Sequence, residues 1–348
     1  MAKTAETIRV AVLGASGYTG AETLRLAVRH PAMRIVALTA DRRAGADIDG
    51  VFPHLGGLGL PRLSRIEDVA WDGVDAAFCC LPHATTQEVV AGLPERLKVI
   101  DLSADFRFRD AKVYAEWYGH EHRAPALQAQ AVYGLTEWAR PALGQARLVA
   151  CPGCYPTSAL LPLIPLVRDG VVEAGDIIID AKSGVSGAGR GLKEGSLYAE
   201  VAEGVHAYGI AAHRHAPEID QELSAAAGRA LTVSFTPHLM PMNRGLLSTI
   251  YLRAADGVGA LRQSLVRAYG EEPFVRVVPQ GAMPATRHVR GSNHCLIGVF
   301  EDRLPGRAIV VSVIDNLVKG AAGQAVQNFN VVFGLPETAG LDQPPLFP

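Results

Sequence analysis

The sequence predicts an α/β protein in two parts: a doubly wound parallel sheet, followed by an α+β domain built on a mixed or antiparallel sheet. Three observations carry this reading. Short apolar runs alternate with helical segments before residue 150, a glycine-rich turn joins the first run to the first helix, and longer strand patterns take over afterwards.

The elements follow in order. "IRVAVLG" (8–14) reads as a buried strand, and "AETLRLAVRH" (21–30) as an amphipathic helix. His30-Pro31 ends that helix, because the residue before a proline is pushed out of helical space. "MRIVALTA" (33–40), "VDAAFCCLP" (74–82) and "LKVIDLS" (97–103) are further strands, with the helical "ATTQEVVAGL" (84–93) between the last two. "YPTSALLPLI" (155–164) reads as a helix, and "AGDIIIDAKSG", "ALTVSFTPHLMP", "LLSTIYLRAA" and "CLIGVFED" as the strands of the second sheet. "DNLVKGAAGQAVQNFNVVFG" (315–334) spaces Leu317, Val318, Ala321, Ala322, Ala325 and Phe329 as one closing helix, with Asp315-Asn316 at its cap. The boundary near 150–155 is expected to be a packed junction, where clefts tend to form.

With 348 residues, 49% of them hydrophobic, the chain can bury two cores. A net charge of -2 gives no electrostatic footprint for nucleic acid or for a membrane surface. No run approaches the ~18 apolar residues of a membrane span, and the N-terminus leads into the first strand without a signal core. Five cysteines, an odd number, do not read as a secreted disulfide framework. The expectation is a cytoplasmic enzyme.

"GASGYTGAE" sets Gly14, Gly17 and Gly20 between strand and helix, a Rossmann-type arrangement offset by one from the common spacing. Small residues let the backbone approach a pyrophosphate, and amides at the helix start bind its charge. The cofactor set is Gly14, Ser16, Gly17, Tyr18, Thr19 and Gly20, joined by Pro82 at a strand's carboxyl end. After the second strand, Arg42 and Arg43 suit a 2′-phosphate and favour NADP(H); Asp41 leaves NAD open.

"CPGCYPTS" carries Cys151 and Cys154, readable as one nucleophile with a bystander, a dithiol or metal half-site, or a buried pair. No second Cys-x-x-Cys supports a metal, and Cys79-Cys80 sit in an apolar strand, so no metal is expected. Cys154 falls at a helix start, with Pro156 tolerated in the first turn. There the dipole favours thiolate. Lowering a thiol from about 8.5 to about 6.5 raises its thiolate fraction at pH 7 roughly 25-fold. Nucleophilicity falls about 6- to 10-fold in exchange. Positioning and a base must therefore supply most of the rate. In "AAHRHAPEI", His213 and His215 precede a helix with Pro217 in its first turn; extended geometry would point both the same way. A histidine beside a helix N-terminus has its protonated form disfavoured and can serve as a base, although such a pair is also a common loop feature.

The chain resembles the N-acetyl-γ-glutamyl-phosphate reductases over nearly its whole length, through "GASGYTGAE", "LPHATTQ", "DLSADFRF", "YGLTE", "CPGCYPTSALLPL", "AKSGVSGAGR", "HRHAPEI", "FTPHLMPMNRGLLSTIY", "GSNHC" and "DNLVKGAAGQAVQN". The resemblance implies a semialdehyde dehydrogenase-like fold, with an NADP-binding domain of 1–153 and 315–348 and a catalytic and oligomerisation domain of 154–314. It implies NADPH-dependent reduction of N-acetyl-L-glutamyl 5-phosphate to the 5-semialdehyde, in arginine biosynthesis, through a thioester on Cys154. It makes His215 the acid/base and His213 a substrate contact or the alternative base. Ser183, Gly184, Ser186 and Gly187 fall in the loop near nicotinamide and the reacting carbonyl, and Asn316 lies near the cofactor. Arg107, Arg190 and Arg244 are candidate clamps for phosphate or carboxylate, each equally readable as a salt-bridge residue. Cys151 stands where relatives commonly lack cysteine and reads as dispensable; Ala84 replaces the commoner glycine of "LPHG". A homo-oligomer, dimer or tetramer, is expected. The rival readings are the same chemistry on a carrier-protein-linked acyl phosphate and a non-catalytic redox sensor closing Cys151–Cys154.

Overall fold

Two seven-stranded sheets, one in each of two units, organise the chain. The computed structural model describes residues 7–254 and 256–348; the leading stretch 1–6, read as running into the first strand, and Ala255 lie outside it.

The first unit comprises the chain up to Pro152 together with Ala321–Asp342. Its strands are β1 (Ile8–Leu13), β2 (Met33–Thr39), β3 (Leu63–Ser64), β4 (Ala76–Cys79), β5 (Lys98–Asp101), β6 (Val132–Tyr133) and β7 (Leu148–Ala150). They pair in the order β3-β2-β1-β4-β5-β7-β6, every pairing parallel. Parallel pairing needs crossovers, supplied in part by α1 (Tyr18–Ala27), α2 (Thr86–Gly92), α3 (Ala111–Tyr118), α4 (Pro125–Gln128) and α5 (Thr136–Leu143). Strand order reverses between β1 and β4, where Leu13 pairs with Cys79. A doubly wound sheet binds its ligand at the carboxyl ends of such a pair. The core gathers Ala11, Leu13, Ala77, Cys79, Val90, Leu97, Val99 and Phe106.

The second unit comprises Gly153–Gly320 and Gln343–Pro348. It opens with α6 (Cys154–Arg168), which is apolar on every side and buried from Tyr155 to Val167. Pro165 lies inside this helix and leaves Leu161 O without its intrahelical donor. The Tyr269 hydroxyl donates to that carbonyl instead. The sheet strands are β8 (Ile178–Gly184), β9 (His206–Ala207), β10 (Ser234–Met240), β11 (Leu246–Arg253), β12 (Val275–Val277), β13 (Cys295–Glu301) and β14 (Arg307–Ile314). Their order is β12-β13-β14-β11-β8-β10-β9, with β8–β10 and β12–β13 parallel and the rest antiparallel, a mixed sheet. β14, which the sequence reading does not anticipate, lies inside it between β13 and β11. The helices α7 (Tyr198–Val201), α8 (Ala216–Ala227) and α9 (Gly257–Tyr269) complete the unit, with α6 packed on α8, α9, β11 and β14.

The closing segment departs from the expected single helix. Val318–Ala322 form a π-helical turn, and the α-helix proper, α10 (Gly323–Val332), starts five residues later. The cause is a hydrogen bond from Gly320 N–H to Asp315 O at 3.0 Å, which closes a wider loop than the α-helical one. Within the first unit α10 packs on α1, α5 and β5. There Asn330 Oδ1 lies 2.8 Å from His30 Nε2, and Phe329 stacks on Phe78. α1 also differs: it begins at Tyr18, three residues before the apolar period starts, because the glycine turn itself winds into helix. No helix of the described residues is long and apolar enough to cross a membrane.

Candidate active site

In the first unit the glycine turn follows β1 directly. Gly14 has φ +76, and a Cβ there would stand 2.4 Å from Cys80 O, at the end of the neighbouring β4. Sheet topology thus demands glycine at that point. Gly20 faces back onto the turn, where a Cβ would meet Gly14 O at 2.6 Å. β2 holds the turn from its other flank: Ala15 N–H donates to Thr39 O at 2.8 Å, and Gly14 N–H to Thr39 Oγ1 at 3.3 Å. Gly17 caps α1 with extended backbone and no side-chain bond, and the first turn carries no acidic residue. First-turn amides have no acceptor inside a helix, so these are suited to an anion. Ser16 and Thr19 are half-buried beside them, and Tyr18 is exposed. Asp41, Arg42 and Arg43 are exposed in the turn after β2.

Beyond β4, Pro82 and His83 lead into Ala84, which adopts φ +71, a left-handed backbone that costs an L-residue strain. The Asp105 carboxylate holds the turn, accepting Ala84 N–H at 2.8 Å and Thr86 N–H at 3.0 Å, and is itself bonded by the Tyr114 hydroxyl at 2.9 Å. Arg107 is buried in this same unit. Its guanidinium donates to Cys151 O at 2.8 Å and Leu102 O at 3.1 Å, so it braces the main chain that leads to residues 153–154. Cys151 is buried and its thiol is pushed up to about 12, chiefly by burial. Its Sγ lies 3.7 Å from Asn328 Nδ2. None of the five cysteines is paired in a disulfide.

In the second unit Cys154 is the first residue of α6, half-buried, with Gly153 as an extended cap. Gly153 N–H donates to Glu218 Oε1 at 2.9 Å. Glu218 is 1% exposed and sits in the first turn of α8, the helix that His215 caps. One hydrogen bond therefore fastens the residue before the thiol to the helix that carries the histidine.

His213 and His215 are not extended. His215 is helical (φ -84, ψ -14), and the segment before it is a turn. The two rings nevertheless stand 4.9 Å apart, because the turn folds His213 back onto its neighbour. His213 Nδ1 accepts the His215 main-chain N–H at 3.1 Å, which leaves the proton of the neutral ring on Nε2. Tyr155, Tyr208 and Phe235 surround His213 edge-on, at 5.5, 5.4 and 5.5 Å between ring centroids respectively. Burial there, aided by Arg214, pushes its pKa down to about 4. The Tyr155 and Tyr208 hydroxyls meet at 3.0 Å, and burial pushes both up, Tyr208 to about 12.

A third cluster gathers around Asn316. Its Oδ1 accepts Gly245 N–H at 2.8 Å and its Nδ2 donates to Ser186 Oγ at 2.9 Å. The loop after β8 is thereby held to the end of β14. Ser183, 2% exposed, donates from Oγ to Gly184 O at 3.1 Å, and Gly187 stands beside it. Arg244 pairs with buried Asp315 at 3.6 Å, whereas Arg190 is exposed beyond the loop. Ser183, Gly184, Ser186, Gly187, Arg244 and Asn316 thus all belong to the second unit, and Arg107 to the first. Sequence reasoning missed Glu218, Tyr155, Tyr208 and Asp105. For Glu218 a signal existed: an acid three residues after a cap, the spacing of a capping box, here turned toward another segment.

Family models match two stretches: "Semialdehyde dehydrogenase, NAD binding domain" over residues 9–146 and "Semialdehyde dehydrogenase, dimerisation domain" over 154–316. An N-acetyl-gamma-glutamyl-phosphate reductase from Rhodospirillum rubrum is 63% identical over 350 residues, covering 99% of each chain. A probable chloroplastic one from Oryza sativa subsp. japonica is 60% identical, covering 99% of this chain and 84% of its own. Among solved structures, aspartate semialdehyde dehydrogenase II from Vibrio cholerae matches with a TM-score of 0.70 at 18% identity, covering 94% of this chain and 98% of its own. Aspartate semialdehyde dehydrogenase with NADP from Candida albicans matches at 0.69 and 17%, covering 94% and 99%.

Proposed function

The chain belongs to the N-acetyl-γ-glutamyl-phosphate reductase family of semialdehyde dehydrogenases, and from that premise we infer that it reduces N-acetyl-L-glutamyl 5-phosphate to N-acetyl-L-glutamate 5-semialdehyde and phosphate, using NADPH. The observation that carries the chemistry is the Glu218–Gly153 bond, which ties the His215 helix to the start of the Cys154 helix.

The residues present fit the cofactor. The Gly14–Gly20 turn, capped without a side chain and without acid in the first helical turn, would hold the pyrophosphate. Arg42 and Arg43 would hold the 2′-phosphate. Bound NADPH supplies the hydride that takes the thioester carbon to the aldehyde level.

Cys154 attacks the acyl-phosphate carbonyl after giving its proton to His215. The carbon–oxygen bond to phosphate breaks, phosphate leaves with the bonding electrons, and a thioester remains on Sγ. After reduction, His215 returns a proton to the developing oxyanion. The resulting hydroxyl gives that proton back to His215 as the carbon–sulfur bond breaks, which releases the aldehyde and leaves Sγ as the thiolate beside the protonated histidine. His213, neutral through burial, accepts the His215 main-chain N–H and sets where that ring stands. Arg244 and Arg190 are the anion clamps of the second unit, while Arg107 acts by bracing the Cys151 carbonyl. The enzyme works in the cytoplasm as a homo-oligomer.

The reaction run backward tests the reading: N-acetylglutamate semialdehyde, phosphate and NADP should yield NADPH. Silence with that semialdehyde, with a signal from a carrier-linked aminoadipate semialdehyde, would reassign the substrate.

A further inference from the structure

We propose that Gly320 is a positioning residue for the nucleophile: its bare backbone, carried by the π-turn, sets where the Cys154 side chain stands. The inference rests on Cys154 being the nucleophile, as argued above.

The turn Val318–Ala322 is anchored before it begins. Asp315 is fully buried, its Oδ1 accepting Leu317 N–H at 2.9 Å and Val318 N–H at 3.2 Å, and its Oδ2 accepting Gly291 N–H at 2.7 Å. Asn316 is bonded on both sides, to Gly245 and Ser186. The π-type bond from Gly320 N–H to Asp315 O then fixes the height at which residue 320 passes α6. Such turns are frequent at functional sites.

At that height a Cβ on residue 320 would stand 2.7 Å from Cys154 Cβ, 3.2 Å from Cys154 Cα and 3.2 Å from Ile314 Cδ1. Unbonded carbons rest about 3.5–4.0 Å apart, so a methyl group would have to displace something by roughly 1 Å. The nearest obstacle is no flexible tip. Cys154 Cβ is one bond from the main chain, and the start of α6 is held by the Gly153–Glu218 bond. Glycine inside a helical pattern is unfavourable without a packing reason, and "KGAAGQ" places Gly320 in one. The packing reason is the thiol.

The test is Gly320→Ala in the full-length enzyme. It compares reverse-direction kcat and KM, thermal midpoint, and the pH profile of Cys154 alkylation by iodoacetamide. A 1 Å misplacement of a reacting group predicts a loss of about 10²-fold in kcat, with KM for NADP and semialdehyde within a few-fold. The alkylation profile of Cys154 should shift. Val310→Ala, a buried truncation in β14, should lower the midpoint and leave that profile unchanged. Wild-type kcat and profile in Gly320→Ala would overturn the proposal. So would a kcat loss matching only the unfolded fraction, with the profile intact. If Gly320→Ala fails to fold, Asp315→Asn, which loosens the anchor and adds nothing at 320, must shift the profile; an unchanged one overturns the proposal. Cys154→Ser run alongside separates the two readings: turnover retained in it refutes the nucleophile assignment, whatever Gly320→Ala does.

Discussion

The glycine turn of the first unit and the thiol site of the second are built by opposite means. The turn draws its chemistry from seven consecutive residues, 14–20, and from main-chain amides; only Gly14 and Gly20 must answer to neighbours, at Cys80 and within the turn. The thiol site draws single residues from distant segments: Gly153 and Cys154, Glu218, the two histidines, and Gly320. A site made of local backbone tolerates change wherever its conformation survives. A site made of side chains from several elements fails when any one support moves.

The largest effect expected is from Cys154→Ser, which should abolish turnover, while Cys151→Ser should keep it within a few-fold, since Cys151 is buried and its thiol is held protonated up to about 12. Steady-state NADPH production measures both, and comparable losses would revive the dithiol reading. Next, His215→Asn should lose about 10²–10⁴ in kcat as the acid/base. His213→Asn should lose far less, because it acts through the His215 main chain; the reverse order would exchange their roles.

In the first unit, Gly14→Ala should cost several kcal/mol, on the order of the strain of a left-handed backbone plus overpacking, because its Cβ would lie 2.4 Å from Cys80 O. Urea unfolding and NADP binding should both report it. The smallest effect is a gain: Ala84→Gly should stabilise by roughly 0.5–1 kcal/mol, as relief of left-handed strain outweighs the added chain entropy, given φ +71. A lower urea midpoint would show the turn to be unstrained.

The pH dependence of stability separates the thiol site from the rest. His213 has a folded pKa of about 4, below its unfolded 6.5, so the unfolded chain binds the extra proton. Its contribution is present above pH 6.5 and is lost as pH falls from there toward 4. Asp220, raised to about 6 by burial, acts with the opposite sign, gaining stability as pH falls from 6 toward 3.8. Thermal midpoints of His213→Gln, subtracted from wild type across pH 4–7, cancel Asp220 and should leave a difference that shrinks toward acid. A flat difference would mean that the ring is hydrated.

What was legible follows the same division. β1, β2, β4 and β5 announced themselves as apolar runs, and α6 as an apolar run behind Cys154, because each records its burial in consecutive residues. The π-turn did not, since Val318, Ala321 and Ala322 keep helical spacing whether the bond from Gly320 spans four residues or five. Glu218 has the spacing of an acid in the first turn of its own helix, and only the tertiary fold brings Gly153 N–H to it. The histidine pair stands side by side as the sequence suggests, but a turn brings the rings together and not strand alternation.

A phosphate-free reaction would trap the thioester on Cys154. With N-acetylglutamate semialdehyde and NADP but no phosphate, the acyl group has no acceptor, so NADPH should appear in a single burst of about one equivalent per chain. Peptide mapping should find the acyl group on Cys154. Sustained turnover without phosphate, or acyl label on Cys151, would rule out Cys154 as the acyl carrier.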